Sequence, residues 1–445
     1  MPQPVELLVL QHARVIDPGA GLDQTVDAVI ENGMLTRLGP GAARSLSNNT
    51  RARVIDARAH WLVPGFIDLR AHLGEPGLEY KEDLASGLGA AAAGGFTQVC
   101  CTPDTDPIND AAVVTEWLRQ RAAAVSPVQL HPIAAATQGL SGKLLTEMAA
   151  LRKAGAVAVG DADHCISSSE VLRRVLEYSH DYGLPVFQHT EDHSLTRGAD
   201  MNEGAVATRL GLRGAPSVAE DGVVARDLLL AEYTGGRYHA AHVSTRGTVE
   251  AIRRAKQAQV NATCAVGIHH LVLSDTALAD YDTNCKLSPP LRAAADVAAL
   301  LRGLAEGVID AVVSDHRPQS TLQKNCEFAE AEPGAVGLGV CFGLLLELVQ
   351  AGRLELARAI SALTSGPATV LGLPAPRLAE GSLADLVLIA PDARYTVEPA
   401  TLRGKSYNSP VLGRSLPGRI DLTLARGQIA FDRAAQPESA GERRG

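Results

Sequence analysis

Five short segments of this chain end in side chains that bind metal ions or move protons. They are Asp68-Leu69-Arg70-Ala71-His72, Asp161-Ala162-Asp163-His164, Phe187-Gln188-His189-Thr190-Glu191-Asp192, Ala241-His242-Val243-Ser244-Thr245 and Val313-Ser314-Asp315-His316. Imidazoles and carboxylates converging on one point suit Zn2+ or a similar borderline cation. Taken singly, a His at the end of an apolar run is more often a hydrogen-bonded structural residue than a ligand. Five such ends gathered at one mouth would form a metal site.

The elements that would gather them can be read from the apolar pattern. Eight apolar runs fall at Val63–Leu69, Thr97–Thr102, Val128–Ala135, Ala156–Asp161, Pro185–His189, Tyr238–Val243, Val260–Val266 and Ile309–Asp315. Helical stretches lie between and after them at Lys81–Ala93, Ala111–Ala124, Lys143–Lys153, Ser168–Tyr182, Val218–Ala231, Thr245–Lys256, Ala293–Glu306 and Val336–Val349. Buried parallel strands read as nearly continuous apolar runs, and eight of them alternating with helices predict an α/β fold, a (β/α)8 TIM-type barrel. An open doubly wound sheet is the alternative reading of the same alternation. In a barrel, chemistry sits at the C-terminal ends of the strands, where the five segments fall.

The flanks read differently. Leu7–Leu10, Ala13–Ile16, Ala28–Ile30 and Val54–Asp56 are short β-rich pieces separated by Gly, Pro and Asn, and strand patterns return at Asp385–Ile389, Ile420–Ala425 and Gly427–Phe431. These predict a small composite β-sandwich domain of residues 1–62 and 366–432 beside a barrel of residues 63–365, with a polar, disordered tail over 433–445. The Cys100-Cys101 pair reads as core, and Gly94-Gly95 as a helix terminator.

Composition excludes several classes. The chain has 445 residues, 46% of them apolar and 20% charged, and a net charge of −9. An acidic chain without a basic block is a poor candidate for nucleic acid or an anionic membrane. The longest apolar run, Val336–Leu346, breaks at Glu347 and is too short to span a bilayer. Residues 1–10 carry no signal-peptide pattern. Seven cysteines without CxxC spacing predict reduced thiols in the cytoplasm.

Several motifs then carry a family resemblance. Pro64-Gly65-Phe66-Ile67-Asp68, Glu75-Pro76-Gly77, Tyr80-Lys81-Glu82-Asp83, Ala91–Thr97, His189-Thr190-Glu191-Asp192, His242-Val243-Ser244-Thr245, Lys286–Arg292 and Ser314-Asp315-His316 resemble the class I dihydroorotases of the amidohydrolase superfamily. The resemblance runs from about residue 5 to about residue 432. It implies a metal-dependent barrel that interconverts N-carbamoyl-aspartate and dihydroorotate in pyrimidine biosynthesis. It implies a ligand set of His72, Asp161, His189, His242 and Asp315, with Asp163 as the other choice at strand four and Asp315 as general acid/base if the chain is active.

The departures from that family carry the expectation. The family's His-x-His is Arg70-x-His72 here, and an arginine offers no lone pair to a metal. Three positions that hold the substrate carboxylate in the family fall at Gly74, Asp104 and Gln319. Losing such a charge-assisted clamp typically costs about 2–5 kcal/mol. Asn284 falls at a substrate-loop position, and His269-His270 resembles a family segment that here reads as loop packing. The sequence resembles most the degenerate, non-catalytic dihydroorotase homologue that assembles with aspartate carbamoyltransferase in some bacteria. The expectation is an oligomeric scaffold subunit with no cofactor, or with a residual single Zn2+ on His189, His242 and Asp161 or Asp163. Arg70 is expected to fill the missing cation's place and pair with Asp315; otherwise it turns outward to solvent. The alternatives are an active single-metal dihydroorotase, and a cyclic amidase for a neutral ring. A lysine bridging two metals, usual in the latter, is absent at strand four.

Overall fold

The computed structural model describes residues 4–44, 46 and 50–436. Eight parallel strands follow one another in sequence order around the barrel: β1 (Phe66–Ala71), β2 (Phe96–Cys101), β3 (Gln129–Ala134), β4 (Ala158–Val159), β5 (Val186–Gln188), β6 (Tyr238–Ala240), β7 (Ala262–Gly267) and β8 (Ala311–Val313). All eight expected runs contribute one, and the strand residues are buried except Gln129 and Thr263. The seam between β8 and β1 is closed by a parallel bridge, Ala71 to His316, and by Asp68, which accepts from the Ser314 amide at 2.9 Å and from its hydroxyl. Asp68 is wholly buried, and burial pushes its carboxyl up to about 7. It is a seam residue and not a ligand.

Helices cover the barrel between its strands. Leu84–Ala93 is typical in its start and stop: Asp83 and Ser86 form a reciprocal capping box, and Gly94-Gly95 ends the helix. Gly95 has φ +87°, and a Cβ on Gly94 would lie 2.2 Å from the Leu338 carbonyl oxygen, so both positions need glycine. The last long apolar stretch begins its helix at Cys341, later than the periodicity suggests. A Cβ on Gly337 would meet the Ser314 carbonyl oxygen at 1.9 Å, so the chain there is pressed against the end of β8.

Strands from both ends of the chain build one nine-stranded sheet. Its path runs Ser382–Leu383, Met34–Gly39, Leu22–Glu31, Leu7–Asp17, Trp61–Pro64, Leu386–Thr396, Ser415–Ala425 and Gln428–Asp432, with Arg53–Asp56 on the Leu7–Asp17 strand. A bulge between Leu10 and Ala13, with His12 at φ +62°, divides the long strand's pairing. Leu8–Gln11 pair with Arg53–Asp56, and Arg14-Val15 with Trp61-Leu62. The expected first barrel run is divided as well: Val63 belongs to the β-rich unit, and the barrel begins at Phe66. Leu8, Leu10, Val15, Ile30, Leu62, Leu386, Leu388 and Leu424 form this sheet's own core. The unit is fastened to the barrel by the Tyr395 hydroxyl on the Gly339 carbonyl at 3.0 Å and by the Thr423 hydroxyl on the Ala92 carbonyl at 2.8 Å.

All seven cysteines are free thiols, and six are buried, Cys100 and Cys101 among them. No helix among the described residues is long and apolar enough to cross a membrane. The expected disordered tail lies outside the described residues from 437 onward; Arg433–Ala435 form one 3-10 turn capped by Asp432.

Candidate functional site

At the C-terminal mouth of the barrel, Arg70 leaves β1 with only 4% of its surface exposed. Its Nε donates to Asp315 Oδ1 at 3.0 Å, and one terminal nitrogen donates to Asp163 Oδ1. The pairing expected for Arg70 is therefore present, and it takes in a second carboxylate. Arg317 adds its own terminal nitrogen to Asp163 Oδ2 at 2.7 Å. Burial alone would raise the Asp163 carboxyl, but Arg317 and Arg70 hold it well below the usual carboxylate range. Asp315 is likewise held low, by His242 and Arg70 against its burial.

The two carboxylates of the strand-four segment part company. Ala162 stands between them at φ +53°, which breaks the strand's alternation. Asp163 reaches the mouth. Asp161, expected in the ligand set, instead takes the amides of Ala136 and Thr137 at 3.0 and 2.9 Å and the Thr137 hydroxyl. Its oxygens brace the end of β3, so Asp163 is the strand-four carboxylate that reaches the cluster. His164 is exposed and outside the cluster.

Asp163, His189 and His242 offer three ligand atoms within 4.8 Å of one another. The hydrogen bonds behind the two imidazoles decide what they can do. His189 Nε2 faces Glu191 Oε2 at 2.8 Å, and His242 Nδ1 faces Asp315 Oδ1 at 3.2 Å. Ionised carboxylates only accept, so each fixes a ring N–H on its own side. The remaining nitrogens, His189 Nδ1 and His242 Nε2, are then lone pairs facing each other at 2.8 Å. That contact requires a shared proton or a cation between them. Burial and Arg70 push His242 down to about 3, which favours its neutral, ligating form. This corner fits one divalent ion, which Asp163, His189 and His242 would hold.

The other corner does not. The Arg70 guanidinium lies where a second ion would need Asp163 and Asp315. His72 Nδ1 bonds Asp104 Oδ2 at 2.8 Å, and its Nε2 is buried without a hydrogen-bond partner, 3.9 Å from Asp163 Oδ1. His72, Asp104 and Asp163 form a second close group of possible ligands, but Arg70 already donates to Asp163 Oδ1, the oxygen nearer His72 Nε2.

The altered clamp positions are accounted for individually. Gly74 has φ +68°, and a Cβ there would lie 2.3 Å from the Glu82 carbonyl oxygen, so no longer side chain fits this backbone. Asp104 is committed to His72. Gln319 donates to the Pro333 carbonyl at 2.8 Å. Asn284 lines an outer groove of about 570 Å3 with Tyr80, Thr321, Lys324 and Tyr407. A separate cleft of about 320 Å3 opens on Asp163, Glu191, His193, Lys286 and Arg317. His269 and His270 lie buried on a short helix, Ile268–Val272, with His270 Nε2 on the Pro289 carbonyl at 3.0 Å.

Two participants escaped the sequence reading. Glu191 orients His189, and its position two residues beyond that His was the available signal. Arg317 had one too: it is a cation two residues after Asp315.

The chain is similar to known proteins over most of its length. A family model described as dihydro-orotase-like matches residues 59–248. A dihydroorotase of Anaeromyxobacter dehalogenans is 46% identical over 429 residues, covering 96% of this chain and 98% of that one. One from Geobacter metallireducens is 44% identical over 426 residues, covering 96% and 100%. Among solved structures, the L-hydantoinase of Arthrobacter aurescens superposes with a TM-score of 0.85 at 23% identity over 97% of both chains. The dihydropyrimidinase of Brevibacillus agri gives 0.81 at 22% identity over 96% of this chain and 95% of that one. These structures share the barrel with its β-rich companion. With near-complete coverage by relatives at this identity, and its polar residues converging at the mouth of that barrel, this chain belongs to the dihydroorotase family.

Proposed function

We propose that this protein is a non-catalytic dihydroorotase-like subunit of pyrimidine biosynthesis that acts as a scaffold for aspartate carbamoyltransferase. The observation that carries this reading is Arg70. Its guanidinium spans Asp315 and Asp163, the two carboxylates that hydrolysis would use. Both Asp315 oxygens already have partners, in Arg70 and His242, so a proton exchange with a substrate would have to break a buried ion pair. Nor does a clamp for a substrate carboxylate remain at Gly74, Asp104 and Gln319. Gly74 has no room for a side chain, and an ionised Asp104 would repel the substrate.

The alternative, an active single-metal dihydroorotase, is favoured by the retained corner. Asp163, His189 and His242 would hold a divalent ion there, which when bound supplies Lewis-acid polarisation to hydrolytic chemistry. Glu191 fixes the His189 ring, and the cleft beside Asp163 is large enough for a small ring substrate.

One paired experiment separates the readings. The purified chain is mixed with the aspartate carbamoyltransferase of its own organism and run on size exclusion, and dihydroorotate hydrolysis is followed with and without added Zn2+. The scaffold reading expects co-elution and no turnover. Zn2+-dependent turnover that Asp315→Ala abolishes would overturn it, and turnover of a neutral hydantoin ring alone would point to a cyclic amidase.

A further inference from the structure

The mouth holds a buried cation of its own, and this has a consequence for how many metal ions the chain can take. We infer that Arg70 occupies the second metal corner permanently, so that the chain binds at most one divalent ion, on the Asp163–His189–His242 side.

Geometry carries this inference. Arg70 and His72 both point at the same atom, Asp163 Oδ1: Arg70 through a hydrogen bond, His72 from 3.9 Å. A dication ligated by His72 and Asp163 Oδ1 would have to compete with the guanidinium for that oxygen. His72 shows the result. Its Nε2 is buried without a hydrogen-bond partner, while its Nδ1 bonds Asp104. Charge points the same way. Asp163 and Asp315 face two guanidiniums, Arg70 and Arg317, so the pair is neutralised without any metal. Arg70 is almost wholly enclosed, with 4% of its surface exposed. Its hold on Asp163 and Asp315 excludes a second ion from that corner. The remaining corner escapes it, because a carboxylate has about four acceptor positions and the two guanidiniums leave some of them free for an ion on the His189–His242 side.

The inference rests on the metal-fit geometry and not on the scaffold role. The test loads the full-length protein and Arg70→His with Zn2+, removes loose metal by desalting, measures zinc per chain by elemental analysis, and checks folding by circular dichroism. Zinc-soaked crystals of the wild type give an anomalous map. The wild type is expected to retain no more than about one zinc per chain, with no anomalous peak within bonding distance of His72 Nε2. The histidine variant is expected to gain about one more. Two zincs in the wild type, or a wild-type peak on His72, would overturn the inference, as would a folded Arg70→His that gains none. Should that variant fail to fold, the wild-type stoichiometry and map decide alone. Turnover of dihydroorotate by a one-zinc protein would refute the scaffold reading while leaving the metal count intact.

Discussion

Arg70→Met removes the guanidinium while keeping a side chain of similar reach. It leaves Asp163 and Asp315, both largely enclosed, with one fewer cation between them. Removing one partner of a buried ion pair costs about 3–5 kcal/mol, because the other charge stays buried. Asp163 keeps Arg317 and Asp315 keeps His242, which places the loss near the lower end, about 3 kcal/mol. Unfolding entropy of about 2.1 cal/mol/K per residue gives roughly 0.9 kcal/mol/K for 445 residues. The midpoint should therefore fall by only about 3 °C, so urea titration is the better assay than a thermal scan. A double-mutant cycle with Asp315→Asn isolates the pair, and a coupling of about 1–3 kcal/mol is expected for residues in direct contact. If Arg70→Met unfolds within about 0.5 kcal/mol of the wild type, as an ordinary surface substitution does, Arg70 does not compensate these carboxylates and the account of the site is wrong.

The strand-four assignment predicts that Asp163→Asn lowers zinc affinity by at least about tenfold while Asp161→Asn leaves it near wild type, measured by competition with a chromophoric chelator; the reverse order would return Asp161 to the ligand set. Gly74→Arg should not restore a substrate clamp and should destabilise by about 1–3 kcal/mol or more in urea, since it places a Cβ on the Glu82 carbonyl at positive φ; a stable variant that binds dihydroorotate would contradict this. Lys324 is buried and donates to the Thr283 carbonyl at 2.8 Å, and burial, helped by Arg317 and Lys286, lowers it to about 7 from 10.5. Between those values the folded protein binds fewer protons than the unfolded chain, so this residue makes stability rise with pH over about 7–10.5. Lys324→Met should flatten that rise, and an unchanged pH–stability profile would show that the lysine is not titrating there.

How much of this was legible follows from particular residues. The eight barrel strands could be read because parallel strands buried on both faces are continuous apolar runs. The boundary at Val63 could not, because Val63 and Phe66 are equally apolar and only the hydrogen-bond partners assign one to the β-rich sheet and the other to the barrel. Arg70 was legible as a charge argument: strand-end carboxylates that lose a metal need another cation. Its reach to Asp163 was not, because that depends on how the strand-four segment turns.

Sequence by itself determined the fold class, the family, and the residue types gathered at the mouth, since apolar period and side-chain chemistry are local properties of the chain. It also showed which family positions had lost their chemistry: Arg70 cannot ligate and Gly74 cannot grip, wherever they lie. Tertiary structure alone decided which side chains meet. Asp161 and Asp163 are two residues apart and chemically identical, yet a positive φ at Ala162 sends one to the Thr137 backbone and the other to two arginines. Arg317 and Arg70 lie 247 positions apart and meet on one carboxylate because the barrel closes β8 onto β1. Contacts of that kind are set by closure and backbone direction, which no single stretch of sequence carries.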